Sequence, residues 1–104
     1  MTDAITISCA CAGREEARII ATALVDRRLA ACVQLGAIES LYRWEGETRR
    51  DDEVLLVAKT LARRFDAVAA CIRALHSYQL PEIVAQPISA ADPGYLAWIE
   101  EMAG

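Results

Sequence analysis

The sequence predicts an α+β domain of the ferredoxin-like, split βαβ type, one domain over residues 1–104, with an antiparallel sheet, a long hairpin and an added C-terminal helix. Three observations carry that prediction. The apolar period alternates between that of a strand and that of a helix in the order strand, helix, strand, strand, helix, strand. Glu45-Gly46 supplies a two-residue turn between two long strand-like runs, since glycine tolerates positive φ. Asp92-Pro93 pairs a helix cap with a proline at the first helical position, which starts one more helix after the βαββαβ set.

Ala4 to Ala10 alternate, with Ile5, Ile7 and Cys9 on one side and Thr6, Ser8 and Ala10 on the other, as in a strand. Gly13 marks a boundary, and from Arg14 to Leu29 the residues Ala17, Ile20, Ala21, Leu24 and Leu29 form a helical stripe. Glu15 and Glu16 suit the start of that helix dipole, and Arg27 and Arg28 its end. Ala31 to Trp44 reads as a long strand whose apolar parity changes near Gly36, which predicts a β-bulge there. The return strand starts with polar residues and ends in Val54-Leu55-Leu56-Val57-Ala58.

Leu61, Phe65, Val68, Ile72 and Leu75 then recur at four and three residues, so a second helix is expected over Leu61 to Leu75 with Thr60 as its cap. Ile83 to Ile88 is a short strand in which Pro87 predicts an edge position. Tyr95, Trp98, Ile99 and Met102 form the stripe of the last helix. Right-handed crossovers place the first two helices on one face of the sheet. The other face would then need cover: Val54 to Ala58 is apolar on both faces, and Tyr42 and Trp44 add aromatic area to the neighbouring strand, so an exposed sheet would be an association hazard and a homo-oligomer is expected.

Composition narrows the function. Eleven basic against fifteen acidic residues give a net charge of -4, which argues against broad phosphate-backbone binding, and no nucleic-acid partner is expected. Met1-Thr2-Asp3-Ala4 lacks the basic and apolar runs of a signal peptide, and no stretch approaches a membrane span of roughly 18 apolar residues. The expected address is the cytoplasm, where the four cysteines stay reduced as metal ligands, redox groups or core filler. The mixed cluster Arg49-Arg50-Asp51-Asp52-Glu53 reads as a solvated hairpin tip.

Chemistry concentrates in Leu75-His76-Ser77-Tyr78-Gln79-Leu80-Pro81-Glu82-Ile83, which holds the only histidine beside a phenol, a carboxylate and a proline. A soft or borderline ion prefers thiolate and imidazole, with a carboxylate as a further donor, and Cys9, Cys11, His76 and Glu82 offer that set. Two residues apart in a strand, Cys9 and Cys11 share a face, with Cα atoms about 6.6 Å apart, at the upper limit for a disulfide. Each has an alternative reading: the two thiols as core groups, His76 as a loop residue bonded to backbone, Glu82 as half of an ion pair. Cys32 and Cys71 read as buried thiols.

Several segments together resemble the CutA family, the divalent-cation tolerance proteins. They are Leu29-Ala30-Ala31-Cys32-Val33, Ser40-Leu41-Tyr42-Arg43-Trp44-Glu45-Gly46, Lys59-Thr60, His76-x-Tyr78-x-x-Pro81-Glu82-Ile83, Pro87-Ile88 and Tyr95-Leu96-x-Trp98-Ile99. Their joint occurrence in order over nearly the whole chain is specific. The resemblance implies a cytoplasmic homotrimer, similar in architecture to PII signalling proteins, linked to tolerance of copper and other divalent ions, with no catalytic reaction. It also implies that Cys9 or Cys11 joins His76 and Glu82 in a metal-responsive group, and the element order together with the expected oligomer places the partners of His76 across a subunit boundary. Ser77 stands where a proline often follows the histidine, which predicts a less rigid loop.

The leading expectation is a metal-binding tolerance protein. The alternative is a PII-like module whose inter-subunit clefts, lined by Tyr42, Trp44, Lys59 and Tyr78, hold a small anionic effector near Lys59 and Glu82. A copper metallochaperone of the same fold would place Met-x-Cys-x-x-Cys after the first strand, and an acylphosphatase-like enzyme would need an asparagine; the chain has neither. Motifs of the GxSxG and HExxH kinds are absent too, so no enzyme is expected.

Overall fold

The alternation of Ile5, Ile7, Cys9 and Cys11 with the small residues Thr6, Ser8 and Ala10 sets the frame of the computed structural model, which describes residues 2–104. Strand β1 (Ala4–Cys11) turns these four side chains onto one sheet face, where all are buried. Helix α1 (Arg14–Asp26) follows and buries Ala17, Ile20 and Leu24 against them. Strands β2 (Cys32–Trp44) and β3 (Glu47–Leu61) form the long hairpin, and helix α2 (Phe65–Leu75) lies beside α1 with Val68, Cys71 and Ile72 in the same core. Strand β4 (Val84–Pro87) and helix α3 (Pro93–Ala103) complete the chain.

The sheet order is β2-β3-β1-β4, with every pair antiparallel, as the split βαβ topology requires. Glu45 and Gly46 both have positive φ, at 50° and 79°, the geometry of a tight hairpin turn. Pro87 ends the edge strand, where its missing N–H costs no ladder bond. Asp92 caps α3 by accepting from the N–H groups of Gly94 and Tyr95 at 2.9 and 3.2 Å.

Four expectations are corrected. No bulge occurs at Gly36, because the β2–β3 register runs unbroken from Cys32↔Lys59 to Trp44↔Glu47. The apolar parity switches there for another reason: Val33 and Leu35 pack against the helical core, whereas Ile38, Tyr42 and Trp44, of opposite parity in the unbroken register, lie on the other face and outside that core. Helix α1 stops at Asp26 and not at Leu29, because Arg28 adopts φ 59° and the N–H groups of Leu29 and Ala30 turn back to the Leu24 carbonyl. Leu61 belongs to β3, paired with Ala4, and α2 begins only after a 3₁₀ turn over Ala62–Arg64. Thr60 accordingly caps nothing.

Thr60 has a different task. Fully buried in β3, its hydroxyl donates to the Leu29 carbonyl at 2.6 Å and ties the α1–β2 connection to the sheet. On the opposite face α3 covers one end, packing Ile99 and Ala103 against Ala4, Ala31 and Leu61. The expected stripe of α3 is rotated, since Tyr95 and Trp98 remain more than a third exposed and stack on each other at 5.5 Å. Arg64 closes the C-terminal end by donating to the carbonyls of Ala103 and Gly104 at 2.7 and 2.9 Å.

Thr60→Val keeps the shape and removes the donor, which leaves the Leu29 carbonyl unpaired. A loss of about 1–2 kcal/mol is expected in urea unfolding, with Thr60→Ser close to wild type.

Candidate functional site

Because β4 runs antiparallel to β1, the loop that enters it passes the end of β1. His76, the residue that ends α2, lies there, and its Nε2 is 2.8 Å from the Ala10 carbonyl oxygen. Its Nδ1 accepts the Tyr78 N–H at 3.1 Å. A nitrogen that accepts an N–H carries no proton, so Nε2 donates to Ala10 and the ring is the neutral Nε2–H tautomer. The alternative reading of His76 as a loop residue bonded to backbone describes this arrangement, and a ligand role has to be compatible with it.

Cys9, Cys11 and His76 each bring a ligand atom within 4.8 Å of the others, in one subunit. The expectation that the partners of His76 lie across a subunit boundary is therefore corrected: antiparallel neighbours bring the end of β1 and the start of β4 together in the same chain. Two donors on one ion are at most about 4.6 Å apart when each metal–sulfur bond is near 2.3 Å, so only a small inward movement is needed. Two sulfurs and an imidazole suit a soft or borderline ion. Both thiols are fully buried in the α1–α2 core, and none of the four cysteines is in a disulfide.

The two thiols do not titrate alike. A hydrogen bond with Cys11, reinforced by burial, holds the Cys9 proton more tightly than a free thiol would. The same hydrogen bond stabilises Cys11 as a thiolate and lowers its pKa, although burial opposes this. Thiolate is the binding form, so the pair supplies Cys11 first.

Glu82 is not among the clustered donors; it is exposed and lines a cleft between the hairpin and the His76–Glu82 loop. The cleft holds about 860 Å³ within one chain and is walled by Tyr42, Trp44 and Tyr78. Lys59 is not in it. Six residues from Glu53 along β3, about 20 Å away, its ammonium lies 5.5 Å from the centre of the Tyr95 ring.

Two acids that sequence reasoning passed over organise this region. Glu53, placed in the solvated hairpin tip, is buried and accepts the Tyr78 hydroxyl at 2.7 Å. Burial and then this bond push the Tyr78 phenol up, while Asp51, accepting from the Tyr42 hydroxyl, pushes Tyr42 up as well. Strand parity was the available signal for Glu53, since it shares a face with Leu55 and Val57. Glu16, read only as a helix-start acid, accepts from the N–H groups of Ala12 at 3.0 Å and Ser77 at 2.6 Å. The loop expected to be less rigid for want of a proline is pinned instead through the N–H that a proline at position 77 would lack.

Comparison with known proteins gives a consistent result. A family model described as "CutA1 divalent ion tolerance protein" matches residues 5–102. The divalent-cation tolerance protein CutA of Thermus thermophilus is 47% identical over 91 residues, which cover 86% of this chain and 88% of that protein. Protein CutA of Mus musculus is 38% identical over 88% of this chain, which spans 52% of that longer relative. The solved CutA of Xylella fastidiosa superposes with a TM-score of 0.95 at 38% identity, over 99% of this chain and 100% of that one. A structure from Archaeoglobus fulgidus, described as a periplasmic divalent cation tolerance protein, gives 0.95 at 35% identity, over 97% and 99%.

The Glu16 clamp has a pH signature. Burial alone would raise its carboxyl, but the Ala12 and Ser77 N–H groups outweigh that and hold it below the ordinary value of 4.5. A group depressed in the folded state stabilises it above the unfolded pKa and loses that contribution as pH falls through the folded pKa. The stability gap between wild type and Glu16→Gln, read from urea midpoints, is expected to be constant from neutral pH down to about 5 and to shrink below 4.5. A gap independent of pH would mean that the clamp does not act through charge.

Proposed function

This chain belongs to the CutA1 divalent ion tolerance family, and on that premise we propose that it acts in metal tolerance by capturing copper or a similar ion at Cys9, Cys11 and His76. The observation that carries the reading is the convergence of two sulfurs and an imidazole nitrogen within 4.8 Å. Capture has a defined cost: Cys11 gives up its proton, and His76 releases either Ala10 from Nε2 or Tyr78 from Nδ1. Glu82 stands outside this donor set and is assigned to the cleft.

The acting form in this reading is a homotrimer in the cytoplasm, a binding protein and not an enzyme. Support for assembly comes from Leu41, Leu80 and Val84, which are half or more exposed, Leu80 at 74%, on the hairpin and around β4. Support for a reducing compartment comes from the four free cysteines. A second reading, a PII-like module with a small effector in its clefts, is favoured by the walled cleft of about 860 Å³.

Copper titration of wild type, Cys9→Ser, Cys11→Ser and His76→Ala is expected to show each variant weakened by more than about tenfold, the scale that even outer partners of a metal ligand reach. Unchanged affinity in all three removes these residues from the site. Light scattering on the same samples is expected to read three chains per particle.

A further inference from the structure

We propose that the donor set at the end of β1 selects a monovalent soft ion, copper(I), over a divalent ion that fills four positions. The inference rests on the capture reading above and deepens it by assigning the oxidation state of the ion. Its basis is the number of donors and the place where they lie.

Among the described residues the cluster consists of Cys9, Cys11 and His76, two sulfurs and one ring nitrogen within 4.8 Å. An ion such as zinc(II) is almost always four-coordinate and completes its shell with a fourth side chain or a water. The neighbouring side chains are otherwise engaged. Both carboxylate oxygens of Glu16 accept backbone N–H groups, those of Ala12 and Ser77, at 3.0 and 2.6 Å. Glu82 lines the cleft, outside the cluster. Cys71, the third thiol of the same core, accepts an N–H of Arg27 at 3.5 Å, and that guanidinium repels an incoming cation.

Water is no better placed. Both sulfurs are packed among Ile7, Ile20, Leu24 and Ile72 and have no exposed surface within a single chain. Their burial is complete before any assembly, so a donor from another subunit does not reach them. A water added there to fill a coordination position would lack the further polar partners that a buried water needs.

Copper(I) requires neither. It is soft, favours thiolate, and its filled d shell is satisfied by two or three donors, whereas copper(II) prefers a square arrangement of nitrogen and oxygen. Charge points the same way. One thiolate neutralises a monovalent ion, but a divalent ion needs both cysteines ionised side by side in a core that penalises charge.

The test is anaerobic titration of the purified full chain with copper(I), delivered from a bicinchoninate buffer, and with silver(I), beside zinc(II), cobalt(II) and copper(II). Sulfur-to-metal absorption in the near ultraviolet, the visible spectrum of cobalt(II) and the EPR signal of copper(II) are the readouts. One copper(I) or silver(I) per chain is expected, undisplaced by a roughly hundredfold excess of zinc(II). Because the ions are compared on wild type, the result does not depend on a variant that folds. Zinc(II) binding as tightly as copper(I), strong tetrahedral bands from cobalt(II), or a persistent EPR signal from protein-bound copper(II) overturns the oxidation-state assignment and leaves capture standing. No binding of any ion, or copper(I) binding unchanged in both Cys9→Ser and Cys11→Ser, overturns capture and the assignment together.

Discussion

Strand β1 is hydrogen-bonded along both flanks, antiparallel to β3 and to β4, and the placement of every functional group follows from that constraint. A strand antiparallel to β1 must begin where β1 ends, so the chain leaving α2 has to cross the end of β1 before it can enter β4. His76 ends α2 at that crossing and meets the Ala10 carbonyl. The alternation that turns Ile5 and Ile7 into the core carries Cys9 and Cys11 to the same face, and the two thiols arrive beside the imidazole. The loop beyond, from Ser77 to Glu82, runs beside the hairpin, and the cleft is the space between them.

In the proposed reading the cluster serves the fold and the chemistry with the same atoms. As core groups, Cys9 and Cys11 fill the interface between β1 and the helices, and the imidazole joins Ala10 to Tyr78 through its two nitrogens. As ligands, they need a thiolate in place of a thiol and a ring nitrogen in place of a hydrogen bond. The paired thiols ease the first requirement, because the proton that Cys9 retains is the one that stabilises Cys11 as an anion. The second is met only by loosening the loop, which Glu16 holds independently through Ala12 and Ser77. The clamp at Glu16 keeps the loop attached when one of the histidine bonds is given up.

Much of this was legible in the sequence because period and turn chemistry report local geometry directly. The alternation of Ile5, Ile7 and Cys9, the stripe from Ala17 to Leu24, Glu45-Gly46 and Asp92-Pro93 all fixed elements that the structure contains. Parity was misread at Gly36, since a change in which residues are apolar marks a change in which face is covered as readily as a slip in register. Lys59 and Glu53 lie on one face of one strand, and a motif match cannot say that about 20 Å of β3 separates them. Glu16 was illegible for a different reason: its partners are backbone N–H groups, Ala12 and Ser77, and backbone donors leave no trace in residue type. Arg28 likewise ends α1 in a left-handed conformation that glycine more often advertises.

Tyr78 joins the two regions. Its backbone N–H is held by His76 Nδ1, and its hydroxyl is held by Glu53 across the cleft. An ion that took Nδ1 would displace the Tyr78 backbone, and with it the phenol that Glu53 holds, so it would act on the same residue as any ligand that entered the cleft. Any free energy of interaction between them is reciprocal, because the effect of one ligand on the affinity for the second must equal the effect of the second on the first. An ion that instead takes Nε2 leaves Tyr78 in place and opens only the contact with Ala10. Which imidazole nitrogen an ion prefers thus decides whether metal capture and the cleft are linked or separate properties of the same loop.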